Sequence, residues 1–240
     1  MSDEKAKINF EIRIFVMKKK NIIWILPLTI SICLLFLTSC EKEPEKGTVT
    51  DNGGYVYQTV KIGSQWWMAE NLRTTKYSDG TAIPNIIDNT GWNSLTSGAY
   101  CWYNNDKNAY TDYGALYNWY AVSTGKLCPT GWHVPSIAEW TTLFESLGGT
   151  AIAGEKMKET GTDHWPSPNS ATNESGFTAL PGGYRNYNGD FLGNGGEGEW
   201  FTSQEKDDRD AYEYYIYPNN TISQAYYWKK SGQSIRCVKD

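Results

Sequence analysis

Read by its apolar and polar positions, the chain changes character several times. Ile22 to Leu37 is one predominantly apolar run. From Tyr55 the pattern turns to β-formers: YVYQTVKI, then Gly63-Ser64, then QWWM ending at Met68. Two such runs joined by a Gly-X pair predict a hairpin with a type II′ turn, because glycine supplies the positive φ needed at its first central residue. Asp79-Gly80 and Asn89-Thr90-Gly91 mark loops, and Ala99–Tyr103 reads as a short strand. In YGALYNWYAV, Leu116, Trp119 and Tyr120 stand at i, i+3 and i+4, which predicts a helix closed by Gly125.

The segment CPTGWHVPSIAEW carries a second helix start. Ser136 stands three residues before Glu139, a capping box in which the serine accepts from the Glu139 N–H and the glutamate reaches back to the serine N–H. Ile137, Trp140, Leu143, Phe144 and Leu147 then form one apolar stripe, and Gly148-Gly149 closes the helix. Thr160 to Gly176 is polar and punctuated by proline, a long loop of the kind that carries binding sites. From Phe177 onward strand runs alternate with turn residues. FTALPGGYRN and GDFLG flank Tyr187-Asn188-Gly189, EWFTS follows the glycine-rich segment 193–198, AYEYYIY and ISQAYYWKK flank Pro218–Thr221, and SIRCVKD leads to the end. Helices early and strands late predict an α+β domain with two short helices, long loops and a late antiparallel sheet.

Charge and context change the picture at the front. MKKKNIIWILPLTISICLLFLTSC, from Met17, has the basic start, apolar run and small-residue exit of a secretory signal, and the run is short for a membrane span. Leu37-Thr38-Ser39-Cys40 resembles the bacterial lipobox, which implies a signal peptide at 17–39 and acylation of Cys40. Residues 1–16 fit no signal pattern, so Met17 reads as the true start and 1–16 as a non-native extension. Two or three acyl chains would fix the protein to a membrane. Residues 40–47 read as the lipidated cysteine and a charged tether, and 48–240 as the folded domain. The acidic residues after Cys40 resemble a surface-export signal, so the expected place is the outer face of the cell envelope.

Beyond Cys40 the chain has 16 basic and 24 acidic residues, a net charge of −8. With no basic cluster to neutralise phosphates, nucleic acid is excluded as a partner. Ten of the eleven tryptophans lie in this part, enough to build an aromatic core.

Cys101, Cys128 and Cys237 remain in an oxidising compartment, where disulfides persist. Cys128–Cys237 is the expected bridge, joining the start of the capped helix unit to the last strand, with Cys101 a buried thiol or a pairing rival. His133, on a strand entering the helix, reads as packed and bonded to backbone. His164 lies in the polar loop with no cysteine or carboxylate at zinc-ligand spacing. No P-loop, GxGxxG or serine elbow is present. Asp207-Asp208-Arg209-Asp210 and NGDFLGNGGEGE offer oxygen ligands without the EF-hand spacing, so no cofactor is expected and calcium is the one ion considered.

Five separated motifs, YCWYNND, YGALYNWYAV, LCPTGWHVPSIAEWTTL, ESGFTALPGGYRN and SIRCVKD, together resemble the Fibrobacter succinogenes major paralogous domain of exported bacterial proteins. The resemblance runs from about Thr48 to Asp240. Its layout is also similar to C-type-lectin-like domains, including the formylglycine-generating branch. That implies a Cys128–Cys237 structural bridge, GEWFTSQ and SIRCVKD as central strands, and binding loops drawn from Thr160 to Gly198. The Glu-Pro-Asn and Trp-Asn-Asp motifs of calcium-dependent lectins are missing, and a reactive cysteine pair is not expected.

Three functions follow in order. The first is a non-enzymatic module binding an extracellular glycan or surface protein through Trp165, Tyr184, Arg185, Tyr187, Asp190 and Asn194, with Trp200 read as a core residue. The second is a structural part of a surface assembly. The third is an enzyme using Cys101 or His133.

Overall fold

The structure, a computed structural model, describes residues 43–240. Residues 1–16, read as an extension, residues 17–39, read as a signal peptide, and Cys40 lie outside the described residues.

The predicted hairpin forms. Strand β1 (Lys46–Thr50) pairs antiparallel with β2 (Val56–Ile62), and β2 turns through Gly63 into β3 (Gln65–Met68). Gly63 has φ +58°, the left-handed value a two-residue hairpin requires. Strand β1 begins at Lys46, inside the segment read as tether, so the folded part starts two residues before Thr48. After α1 (Asn89–Asn93) come β4 (Tyr100–Cys101), α2 (Lys107–Tyr110), β5 (Leu116–Asn118), α3 (Trp119–Val122) and β6 (Trp132–His133).

The helix expected over YGALYNWYAV is therefore corrected to a strand followed by one helical turn. Leu116 and Tyr117 pair with β4, and the Asn118 Oδ1 accepts from Ala121 N (3.1 Å) and Ala99 N (3.0 Å), capping α3 and holding the neighbouring segment at once. Leu116 and Trp119 are both buried but in different clusters, so their i, i+3 spacing comes from a strand-to-turn transition.

The capping box is present as read. Helix α4 (Ile137–Ser146) starts at Ser136, whose N–H donates to Glu139 Oε2 at 2.8 Å while its Oγ accepts from Glu139 N. Trp140, Leu143 and Phe144 are buried. A further helix, α5 (Thr150–Met157), follows the Gly148-Gly149 stop. Its Gly154 lies against the Asn220 carbonyl so closely that any Cβ would overlap it. The long loop after α5 is pinned. Asn169 Nδ2 donates to the carbonyls of Glu159 (2.8 Å) and Gly161 (2.7 Å), and Trp165 inserts into the core.

The second half supplies β7 (Tyr184–Arg185), β8 (Phe191–Leu192), β9 (Gly198–Glu205), β10 (Asp210–Ile216), β11 (Ile222–Trp228), β12 (Gly232–Gln233) and β13 (Val238–Lys239). Among the described residues three antiparallel sheets result, in the orders β1-β2-β3-β13-β6, β11-β10-β9 and β4-β5-β12-β7-β8. The class is mixed α and β, as expected, but sheet dominates and is not confined to the late sequence. The last strand closes a sheet begun by the first, with Val238 opposite both Trp67 and His133. Trp200 lies on β9, at an edge of its sheet, and Cys237 immediately precedes β13 in a different sheet, the two regions being linked through a bridge between Trp200 and Ser234.

Three hydrophobic clusters form among the described residues, the smallest gathering Trp92, Cys101, Tyr103 and Leu116; the other two are larger and rich in aromatic rings. One gathers Tyr57, Met68, Tyr117, Trp119, Phe201 and the half-cystines; the other gathers Trp67, Trp140, Trp165, Phe177, Trp200 and Tyr214. Trp140 is the hub of the second, with ring centroids at 5.0 Å from Trp67, 5.5 Å from Tyr214 and 5.8 Å from Phe177. Such tilted pairs add about 0.5–1.5 kcal/mol each beyond burial.

Candidate functional site

The three-stranded sheet has two unlike faces. Successive side chains on a strand point to opposite sides. Trp200, Tyr214 and Ile216 therefore share one face and enter the second core. Glu199, Glu213 and Tyr215 share the other, with Tyr215 directly opposite Glu199. That face starts apolar, where Phe201 and Ala211 enter the first core, and becomes acidic and phenolic toward its other end.

There it bounds a pocket of about 110 Å³ lined by Tyr184, Glu197, Glu199, Glu213, Tyr215, Tyr217 and Tyr227. Tyr184 comes from β7 and Tyr227 from β11, their rings meeting edge to face at 5.5 Å. Gln233 on β12 donates to Glu213 Oε2, while Glu213 Oε1 is buried without a partner.

Glu213 is fully buried and Glu199 is 3% exposed. Burial, first, and the Glu197 and Asp210 charges push the Glu213 carboxyl up to about 7, against the Gln233 amide and the nearby Tyr215 phenol, which favour its ionised form. Glu199 is held well above the carboxylate range by burial, then by Glu213 and Glu197. Tyr184, Tyr215 and Tyr227 are raised too, chiefly by burial, so their phenols stay protonated. Tyr184, Tyr215 and Tyr227 thus bring neutral O–H groups to the pocket, beside the Glu213 carboxyl poised near neutrality.

This arrangement costs stability as pH rises. A carboxyl raised from 4.5 to about 7 on folding contributes stability that is fully present below pH 4.5 and lost as pH climbs through 7. At pH 8 the loss for Glu213 is about 3 kcal/mol. Glu213→Gln is expected to be more stable than the parent at pH 8 by an amount of that order, with the gap closing toward pH 4.5. Urea melts across this range measure it, and equal pH profiles for the two proteins would refute it.

Of the six residues read from the sequence as ligand contacts, only Tyr184 lines the pocket. Trp165 is 1% exposed, its Nε1 donating to the Ala179 carbonyl at 2.9 Å and the Lys158 ammonium 4.2 Å above its ring; it is a core residue and offers no face to a ligand. Arg185 is fully buried between the rings of Trp92 and Phe191. Its guanidinium donates to the carbonyls of Ile86, Ile87 and Gly189 and to Asn89 Oδ1, so it fastens loops together. Tyr187 stacks on Trp228 at 4.0 Å. Asp190 is exposed at the β7–β8 turn, its carbonyl accepting from Asn186 N and its carboxylate from Asn188 Nδ2. Asn194 is half-buried near the Pro181 carbonyl. Trp200 is buried in the core as read.

Glu197, Glu199, Glu213, Tyr215, Tyr217 and Tyr227 escaped the sequence reading. One signal was present. Glu213 interrupts an otherwise apolar-aromatic strand run at a position that alternation sends to the same side as Ala211.

The cysteines and histidines take structural places. Cys128 is bonded to Cys237, closing 109 residues. His133 is not bonded to backbone as expected. Its Nδ1 meets Asp240 Oδ1 at 2.6 Å and its Nε2 meets Glu139 Oε1 at 2.7 Å. Burial alone would lower its pKa, but the two carboxylates outweigh it and raise it. Both ring nitrogens are therefore occupied. Cys101 is buried, and desolvation pushes its thiol up to about 12, which leaves it protonated and inert. His164 Nδ1 pairs with Glu159 at 2.8 Å. The 207–210 run is the β9–β10 turn. Asp207 Oδ1 accepts the Arg209 and Asp210 N–H groups, and buried Asp210 pairs with Arg209 at 2.8 Å. Among the described residues no three histidine, cysteine or carboxylate side chains are grouped to hold a metal ion. No helix among them is long and apolar enough to cross a membrane.

The model of the Fibrobacter succinogenes major domain matches residues 60–239, three quarters of the chain. No curated protein and no solved structure matches.

Proposed function

The chain belongs to the Fibrobacter succinogenes major domain family, and from that premise we propose that it is a non-catalytic binding module of the cell envelope that recognises a glycan outside the cell. The observation that carries this reading is the pocket between β7, β9, β10 and β11. Tyrosine rings give flat apolar faces on which sugar C–H surfaces stack, and buried carboxyls beside them orient hydroxyl or amino groups. Lipid attachment at Cys40 in the outer membrane is part of the proposal and rests on the lipobox at 37–40. A C-type-lectin-like arrangement is also proposed. Its support is the order Cys128, the Trp132–His133 strand, the capped helix, the long loop, the Trp200 strand and Cys237.

The reading is tested by applying the full chain, in detergent, to arrays of glycans and cell-wall fragments. Retention on a subset is expected, weakened at least tenfold by Tyr184→Ala and unchanged by chelator. Failure of any glycan or wall fragment to retain the parent protein removes the reading.

A further inference from the structure

We propose that the acidic pocket receives the protonated amine of an amino sugar: the ammonium enters between Glu199 and Glu213 while the sugar ring rests at the mouth. This rests on the pocket being the binding site and specifies what enters it. The first ground is charge. Three glutamates line the pocket, and no lysine, arginine or histidine does. An ionised carboxylate is an acceptor only, and a buried one without a cation is costly, so the missing partner is a donor that carries positive charge.

The second ground is an unfilled valence. Glu213 is fully buried, lines the pocket, and its Oε1 has no hydrogen-bond partner although Oε2 is held by Gln233. Buried polar atoms are nearly always paired, so an orphan acceptor beside an open pocket marks where a donor belongs. The third is size. About 110 Å³ is less than the roughly 150 Å³ of an apolar cavity that takes up benzene, so a head group fits and a whole pyranose does not. The fourth is the wall. Tyr184, Tyr215 and Tyr227 surround the carboxyls with rings whose faces attract a cation. A divalent metal is a poorer match, since the carboxylates are not grouped as a metal set among the described residues.

Amine binding must ionise the carboxyls it pairs with. Facing Glu213 are Glu197 and Glu199 from the β9 side, Asp210 and Tyr215 from its own strand, and Gln233 from β12, so protons leave from the glutamates when the cation arrives.

The test is calorimetric titration of the full chain at pH 6.5, in two buffers of different ionisation enthalpy, with glucosamine, glucose, N-acetylglucosamine, propylamine and calcium chloride. Glucosamine is expected to bind at least tenfold more tightly than glucose or N-acetylglucosamine. Propylamine, charged throughout, should release about half a proton or more at pH 6.5 and progressively less as pH rises through the Glu213 range. Glu213→Gln and, independently, Glu199→Gln should each weaken glucosamine at least tenfold with near-ultraviolet circular dichroism unchanged. Glucose equal to glucosamine, with both lost in Glu213→Gln, overturns the ammonium claim and keeps the pocket as the binding site. Calcium that binds and displaces glucosamine overturns it in favour of a metal. A lysine side-chain analogue tenfold tighter than glucosamine overturns the amino sugar. Silence of every titrant overturns both this inference and the pocket's role.

Discussion

Replacing both half-cystines by alanine, Cys128→Ala with Cys237→Ala, is expected to lower the unfolding free energy by about 4–5 kcal/mol, the chain-entropy value for a loop near 100 residues. The loop spans 109 residues, and both sulfurs sit in the first core, so alanine removes the tie without burying a new polar group. The bridge guards a weak point. Strand β13 has only two residues, yet it joins β3 to β6 and so completes the first sheet. A two-residue strand has too few ladder bonds to hold its place alone, and the covalent bond at the residue just before it converts it into a fixed member. Urea melts of the two proteins give the difference. Hydrogen exchange should speed up first at Val238 and at its neighbours Trp67 and His133. A loss below 1 kcal/mol would mean that the noncovalent contacts of β13 hold the sheet unaided.

What the sequence made legible was local. The Gly63 hairpin, the Ser136–Glu139 box and the β-rich tail are each encoded within a few consecutive residues, and each is present. The disulfide was legible because the start of the capped-helix unit and the last strand run each offered one cysteine. Other features depend on residues far apart. Whether Trp165 faces solvent is decided by Ala179 and Lys158, and the fate of Arg185 by the carbonyls of Ile86 and Ile87, almost a hundred positions away. Helix α5 has only Ala153, Gly154 and Met157 buried, too thin a stripe to announce itself. The pocket was hidden for the same reason: Glu199 and Glu213 lie in strands where Trp200 and Tyr214, their apolar neighbours, belong to the opposite face. A proline-rich loop drew the reading instead, and its tryptophan is an anchor.

Arg236→Met should cost about 4 kcal/mol, and Arg236→Lys should recover only part of it. The guanidinium is 1% exposed and donates to four acceptors: Asn71 Oδ1 and Met68 O at 3.0 Å each, Thr178 O at 3.2 Å, and Phe177 O. Burial pulls its pKa down to about 9, with the nearby Glu70 charge opposing the fall, so it stays charged at neutral pH. Methionine fills the stem's volume but strands the Met68, Phe177 and Thr178 carbonyls and leaves Asn71 Oδ1 with Trp200 alone, each lost partner costing about 1–3 kcal/mol before the structure relaxes. Lysine restores the charge as a point on a flexible stem and cannot reproduce the planar fork. The order parent, lysine, methionine in urea midpoints is therefore the expected result, and a methionine protein as stable as the parent would refute the account. The consequence reaches the pocket. Asn71 Oδ1, which accepts from Arg236 Nε, also accepts from Trp200 Nε1 at 2.9 Å, and Trp200 is next to Glu199 on β9. Arg236 is thus a positioning residue for the acidic wall. In Arg236→Lys, glucosamine affinity should fall while its preference over glucose survives, because the carboxyls remain and only their placement loosens.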